Sequence, residues 1–116
     1  MRKWIIALVL ILTTVPACAA PARVWIAEFV AIRVEAAAPF ATLPALARQT
    51  PLDISTGAKT SAVFNMQTRY IRIVCEVQCA VTAAGTATPS DILLPALRPE
   101  YFGVQGGKTI SVILAP

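Results

Sequence analysis

Residues 68–81 read Thr-Arg-Tyr-Ile-Arg-Ile-Val-Cys-Glu-Val-Gln-Cys-Ala-Val. The odd positions Ile71, Ile73, Cys75, Val77, Cys79 and Val81 are all apolar, and Tyr70, Arg72, Glu76 and Gln78 fall on the even ones. Successive side chains of a strand point to opposite faces, so this period of two predicts one long half-buried strand with an apolar row facing a core. At about 100° per residue, a helix would spread the same six residues around its whole surface. The rest of the chain has to supply this strand with neighbours.

The stretches around it have the same character. Residues 23–35 are rich in β-branched and aromatic side chains, which predicts a strand or a pair of short strands. Val24, Ile26, Val30, Ile32 and Val34 share one face, interrupted by Glu28. Trp25, Ala27, Phe29 and Ala31 make the other face nearly as apolar. Such a strand is covered on both sides, either as the centre of a sandwich or with Trp25 and Phe29 against a partner subunit. Short strands are also expected at 52–55, 60–65 and 91–94. A turn-linked pair is expected at 100–104 and 108–114, joined through Gln105-Gly106-Gly107 as a hairpin. Residues 82–90 are small and loop-like. With no convincing amphipathic helix, the fold class is all-β, a small antiparallel β-sandwich or jelly-roll-like domain over residues 23–116.

Two segments stand apart. Residues 36–51 carry Pro39, Pro44 and Pro51 among Ala, Leu and Phe40, which rules out a central strand. We read them as an apolar Pro/Ala-rich arm laid over the same or a neighbouring subunit, with one or two helical turns at 43–49. Residues 1–20 have a basic start, an apolar run broken at Pro16, and Ala17-Cys18-Ala19-Ala20, the layout of a secretory signal peptide. The run is short for a membrane span, which takes about 20 residues. Cleavage after Ala19, lipidation of Cys18 and retention as an apolar tail are the three fates this segment allows, and membrane contact would come only through it.

The 116 residues allow one domain. The formal charge is +4, but Arg2 and Lys3 belong to the leader, and without them eight basic residues face six acidic ones. The basic residues form no run interleaved with aromatics, so nucleic acid is not an expected partner. There is no histidine, which removes the usual Ser/His/Asp and Cys/His systems and every histidine metal site. The six carboxylates are scattered singly. Enzyme chemistry, cofactors and metals are therefore not expected. Gly103-Val-Gln-Gly-Gly-Lys-Thr109 falls one residue short of a phosphate-binding loop and leads into a strand pattern rather than a helix. Cys75 and Cys79 would stand about 13 Å apart along a continuous strand, too far for a disulfide. They read as buried small hydrophobes, unless a bulge near Glu76 shortens the gap.

From Arg23 onward the order of features resembles a group of small virion proteins from the structural gene clusters of tailed bacteriophages. The likeness rests on Val-Trp-Ile-Ala-Glu-Phe from Val24, Pro-Ala-Leu-Ala-Arg-Gln from Pro44, Ser-Ala-Val-Phe-Asn from Ser61 and Thr-Arg-Tyr-Ile-Arg-Ile from Thr68. It continues through the Cys79 strand with Thr-Ala-Thr-Pro from Thr86, Glu-Tyr-Phe-Gly-Val from Glu100, Gly107-Lys108, and Ile-Ser-Val-Ile from Ile110. It implies a non-enzymatic, β-rich capsid decoration or cement component that acts as a homo-oligomer on other virion proteins. The candidate subunit interface is Trp25, Phe29, Phe40, Leu43 and Leu46, with Gln105 and Lys108 at the hairpin tip. Residues 1–20 have no counterpart in that group, and virions assemble in the cytoplasm. The leader therefore keeps an alternative open: an exported β-sandwich binding protein, periplasmic, secreted or envelope-anchored.

Overall fold

The computed structural model describes residues 20–35 and 38–116. The proposed cleavage at Ala19 and lipidation at Cys18 lie outside the described residues, as does the Phe40 side chain. The strands in chain order are β1 Arg23–Phe29, β2 Ile32–Glu35, β3 Ala38–Ala41, β4 Ala47–Arg48, β5 Leu52–Asp53 and β6 Lys59–Thr60. They continue with β7 Tyr70–Cys75, β8 Cys79–Thr82, β9 Ile92–Leu94, β10 Glu100–Gly103 and β11 Ser111–Leu114. All pair antiparallel. One sheet runs β10-β7-β1-β4 with β5 also on β1, a second runs β6-β11-β8-β9, and β2 and β3 pair only with each other. The fold is the small all-β sandwich expected from the sequence.

Alternation explains which side chains enter the core. In β7, Ile71, Ile73 and Cys75 are buried while Tyr70, Arg72 and Val74 are half-exposed. The register sets Val24 opposite Cys75 and Ile26 opposite Ile73, so β1 and β7 present one shared apolar face. Cys79, Val81, Leu94 and Val112 of the second sheet, with Ile54, Phe64 and Ile110, close over it. Completely burying one such side chain is worth about 1.5–3 kcal/mol relative to leaving it exposed.

The long strand at 68–81 is where the structure departs most from expectation. β7 stops at Cys75, residues 76–78 form a bend, and β8 begins at Cys79 in the other sheet. The bend brings the two Cα atoms to 6.3 Å, and Cys75 and Cys79 are joined as a disulfide. The expectation of two unbridged cysteines is thus corrected, because the 13 Å figure assumed an unbroken strand. Three residues in the bend leave the parity unchanged, so both cysteines still face inward, fully buried.

Other expectations are also revised. Residues 43–49 make no helical turn. Ala47 and Arg48 form β4, opposite Glu28 and Ala27. Residues 100–104 and 108–114 are not a hairpin: β10 pairs with β7 and β11 with β8 and β6, so the 105–107 turn carries the chain between sheets. Of the strand expected at 60–65 only Thr60 is regular, as the second residue of β6. Beyond it Phe64 plugs the core, its N–H donating to Lys108 O at 2.9 Å and its carbonyl accepting from Gly107 N at 2.9 Å.

Polar groups bind the irregular segments to the sheets. Glu28, on the inner face of β1, is 3% exposed. Its carboxylate accepts hydrogen bonds from Asn65 N at 2.8 Å, Thr68 Oγ1 at 2.7 Å and Gln49 Nε2 at 3.2 Å. Gln49 also bonds both ways with the Ala62 backbone, so one buried acid holds three chain segments together. Ser61 Oγ accepts from Ile110 N and Ser111 Oγ from Ala87 N. At the start of β1, the hydroxyl and N–H of Ser55, then the N–H of Ala22 and nearby Lys59, hold the Asp53 carboxyl below the ordinary aspartate pKa. That contribution is present at neutral pH and fades as pH falls through the lowered value.

Replacing Glu28 with Ala takes the acceptor from the buried Thr68 hydroxyl and from the part-buried Asn65 N–H, at about 1–3 kcal/mol for each group left unsatisfied. Urea unfolding of Glu28→Ala should show a loss of about 3 kcal/mol with unchanged strand content. A loss below about 1 kcal/mol would mean the network is dispensable.

Candidate functional site

Of the apolar residues expected at a subunit interface, Trp25, Leu43 and Leu46 are exposed, and the β2–β3 ribbon adds exposed apolar surface that the sequence reading had placed on a covered strand. In the ribbon Ile32 faces Ala41 and Val34 faces Pro39, which puts four apolar residues on one side. Val34 is 67% exposed, Val30 before the ribbon 51%, and Leu43 after it 80%. Leu46 and Trp25 each stand 37% exposed. A two-stranded ribbon alone is marginal in water, and this one lies in neither sheet. Within the segment expected at 36–51 to be an apolar arm, residues 38–41 are the second strand of this ribbon and residues 47–48 belong to the first sheet.

Phe29 does not belong to this surface. Its parity sends it to the outer face of β1, opposite Tyr70, yet it is only 4% exposed and is counted with the core. The alternative of Trp25 and Phe29 together facing a partner therefore fails for Phe29. Gln105 and Lys108 are exposed and share with Val30, Ala31 and Ile32 an open groove of about 920 Å³ at the root of the ribbon, which Arg69 and Tyr70 also line. Of the expected interface residues, Gln105 and Lys108 line this groove, beside ribbon-root residues that the sequence reading did not name. Leu43 and Leu46 lie outside the lining of that groove. The phosphate-loop-like segment at 103–109 leads into β11 and meets no helix.

A second groove, of about 520 Å³, escaped the sequence reading. It lies on the outer face of the first sheet, where Tyr101, Arg72, Ala27 and Arg48 form one row across β10, β7, β1 and β4. Trp25, two residues along β1 from Ala27, walls it, with Gln49, Thr50 and Pro51. Arg72 was legible as outward-facing, whereas Trp25 read as covered by the sandwich or by a partner subunit; Arg48 was not placed, because nothing in a proline-flanked stretch marks a two-residue strand.

Among the described residues no three Cys, Asp or Glu side chains cluster as a metal site, and no helix is long and apolar enough to cross a membrane. Comparison of the chain with protein-family models, curated proteins and solved structures found no match.

The turn beside the larger groove has a steric requirement. A Cβ at Gly106 would stand 2.6 Å from the Met66 Cα and carbonyl carbon, and closer still to its oxygen. Gly85 instead has a positive φ, of 77°, with open space around it. Gly106→Ala should lower the unfolding midpoint by several degrees more than Gly85→Ala, whose cost is held to about 1–2 kcal/mol by backbone strain alone. Equal effects in a thermal melt would show that the Met66 segment moves aside freely.

Proposed function

We propose that the protein is a non-enzymatic structural subunit of a tailed phage virion, of the capsid decoration or cement type, acting as a homo-oligomer through protein–protein contacts. The observation that carries the assembly part of this reading is the β2–β3 ribbon, whose apolar side, Ile32, Val34, Pro39 and Ala41, lies outside both sheets. An exposed apolar ribbon is stabilised when another surface removes it from water. The virion as the setting is supported by the sequence resemblance alone. The ribbon, the adjoining Leu43 and Leu46, and the 105–108 tip are the surfaces assigned to neighbouring subunits and shell proteins.

The disulfide supports a second reading, an exported β-sandwich binding protein of the periplasm or envelope. Cys75 and Cys79 are bridged, and structural disulfides persist mainly in oxidising compartments. The signal-like leader agrees with that setting.

Paired substitution Val34→Asp and Leu43→Asp separates assembly from folding. On the virion reading the variant keeps the wild-type unfolding midpoint, sediments as a monomer and drops out of purified particles by tenfold or more. Full incorporation would remove the ribbon and Leu43 from the interface. The two settings are distinguished by mass spectrometry of the native chain with thiols trapped at lysis. A particle-associated chain supports the virion. A bridged chain that starts at Ala20, or is lipidated at Cys18, and is found only in the envelope or periplasm supports export.

A further inference from the structure

We propose that the groove on the outer face of the first sheet is a binding site for an acidic sugar, with its anionic group held between Arg48 and Arg72 and its ring stacked on Trp25. None of its residues lies in the ribbon or lines the larger groove, the surfaces that carry the assembly reading, although Trp25 was also an expected interface residue.

The register makes the site. Ala27 is opposite Arg72 on one side and Arg48 on the other. Neighbouring strands are about 4.8 Å apart, so the two arginine backbones stand about 10 Å apart, across one methyl group. Side chains from one row of a sheet leave on the same face. Two guanidiniums therefore rise either side of a shallow floor, and no carboxylate lines the groove. Two like charges so placed repel each other until an anion comes between them. Guanidinium is also the group whose fork matches a carboxylate or phosphate with two hydrogen bonds.

The rest of the lining selects what carries the anion. Trp25 opposes Val74, one step from the Ala27–Arg72 pair, and the diagonal separation of about 7–8 Å is within reach of both long side chains. The indole is 37% exposed, enough to offer a face to a flat apolar surface such as the C–H side of a pyranose. Tyr101 stands opposite Arg72 on its far side, where a phenol ring limits the directions the guanidinium can take. Gln49 is already committed to Glu28 and Ala62, so that wall is rigid. A volume of about 520 Å³ lies within the range of about 300–1,000 Å³ usual for small-ligand sites. Two cations suit one anionic group. A nucleic acid strand is tracked by a charged groove with successive stacking bases, and this face offers a single indole.

The test uses the full chain and three probes: trigalacturonate, the uncharged maltotriose, and a ten-residue oligothymidylate. Calorimetry and the Trp25 indole NMR signal are read together. The expected result is millimolar or tighter binding of trigalacturonate that shifts the Trp25 signal, weakens as salt is raised, and exceeds maltotriose binding by tenfold or more. Arg48→Gln, Arg72→Gln and Trp25→Leu should each weaken it at least tenfold, with unfolding midpoints near wild type, while the remote Lys59→Gln leaves it unchanged. Arg72→Lys should recover only part of the loss, since charge without the planar fork is insufficient. The proposal is overturned by absent trigalacturonate binding, equal binding of maltotriose, tighter binding of the oligothymidylate, or Lys59→Gln losing as much as the arginine variants.

Discussion

The fold turns on the three-residue bend between β7 and β8. A half-buried strand that continued straight through residues 76–78 would leave Val77, Cys79 and Val81 extending one sheet, with the other lacking its centre. At the bend the chain instead passes from the first sheet to the second, and the Cys75–Cys79 bridge closes the corner with its sulfurs fully buried. On either side, β7 is gripped by β1 and β10, and β8 by β9 and β11. Glu76 N and Arg23 O are bonded at 2.8 Å, and the Glu76 carboxylate accepts from Arg23 N at 3.0 Å, which holds the bend to the start of β1. A five-residue loop closed by a disulfide is worth about 2 kcal/mol of unfolded-chain entropy. The larger consequence is directional, since the corner sets the two core faces against each other.

Glu28 does at the other end what the bridge does at the bend. Residues 61–68 have little regular structure, and their backbone would be poorly tied to the sheets without an acceptor inside. The acid supplies it, at a position where the alternation of β1 demands an apolar residue. A buried carboxylate would be costly were it unsatisfied, but here its donors come from Asn65, Thr68 and Gln49. Phe64 then fills the core from a segment with no ladder of its own.

These two features also show what alternation can reveal. The apolar rows of β1 and β7, and the all-β class, follow from period two, because burial of one face is a local property of a strand. The bend was hidden because three residues preserve parity: Cys75, Val77 and Cys79 keep the same phase whether the strand continues or breaks. Glu28 read as an interruption, since its partners lie 21 to 40 residues away. Leu43 and Lys108 were legible as arm and turn residues from the prolines and glycines around them, whereas Val34 read as one of a covered strand face and stands exposed. The Arg48–Arg72 row depends on a two-residue strand, and short strands exist only through the partner that pairs with them.

Association through the ribbon is limited by a single proline. Opposed residues of an antiparallel pair alternate between those that exchange hydrogen bonds and those that do not. Pro39 has no N–H, and it sits opposite Val34, so that pair is accommodated as a non-bonded one, with the absent donor on the outer edge of β3. That edge is thereby blunted against further strand pairing. The outer edge of β2 carries no proline, so strand addition on the ribbon can proceed from one side only. In the second sheet, β9 is three residues long and is followed by Pro95, which shortens another edge where Ile92 and Leu93 are exposed. Together these features work against open-ended strand stacking and leave the apolar face of the ribbon as the surface on which specific contacts are built. A face contact depends on shape and side-chain identity, whereas an edge contact depends mainly on backbone. The proline therefore biases this chain toward association with a defined partner surface.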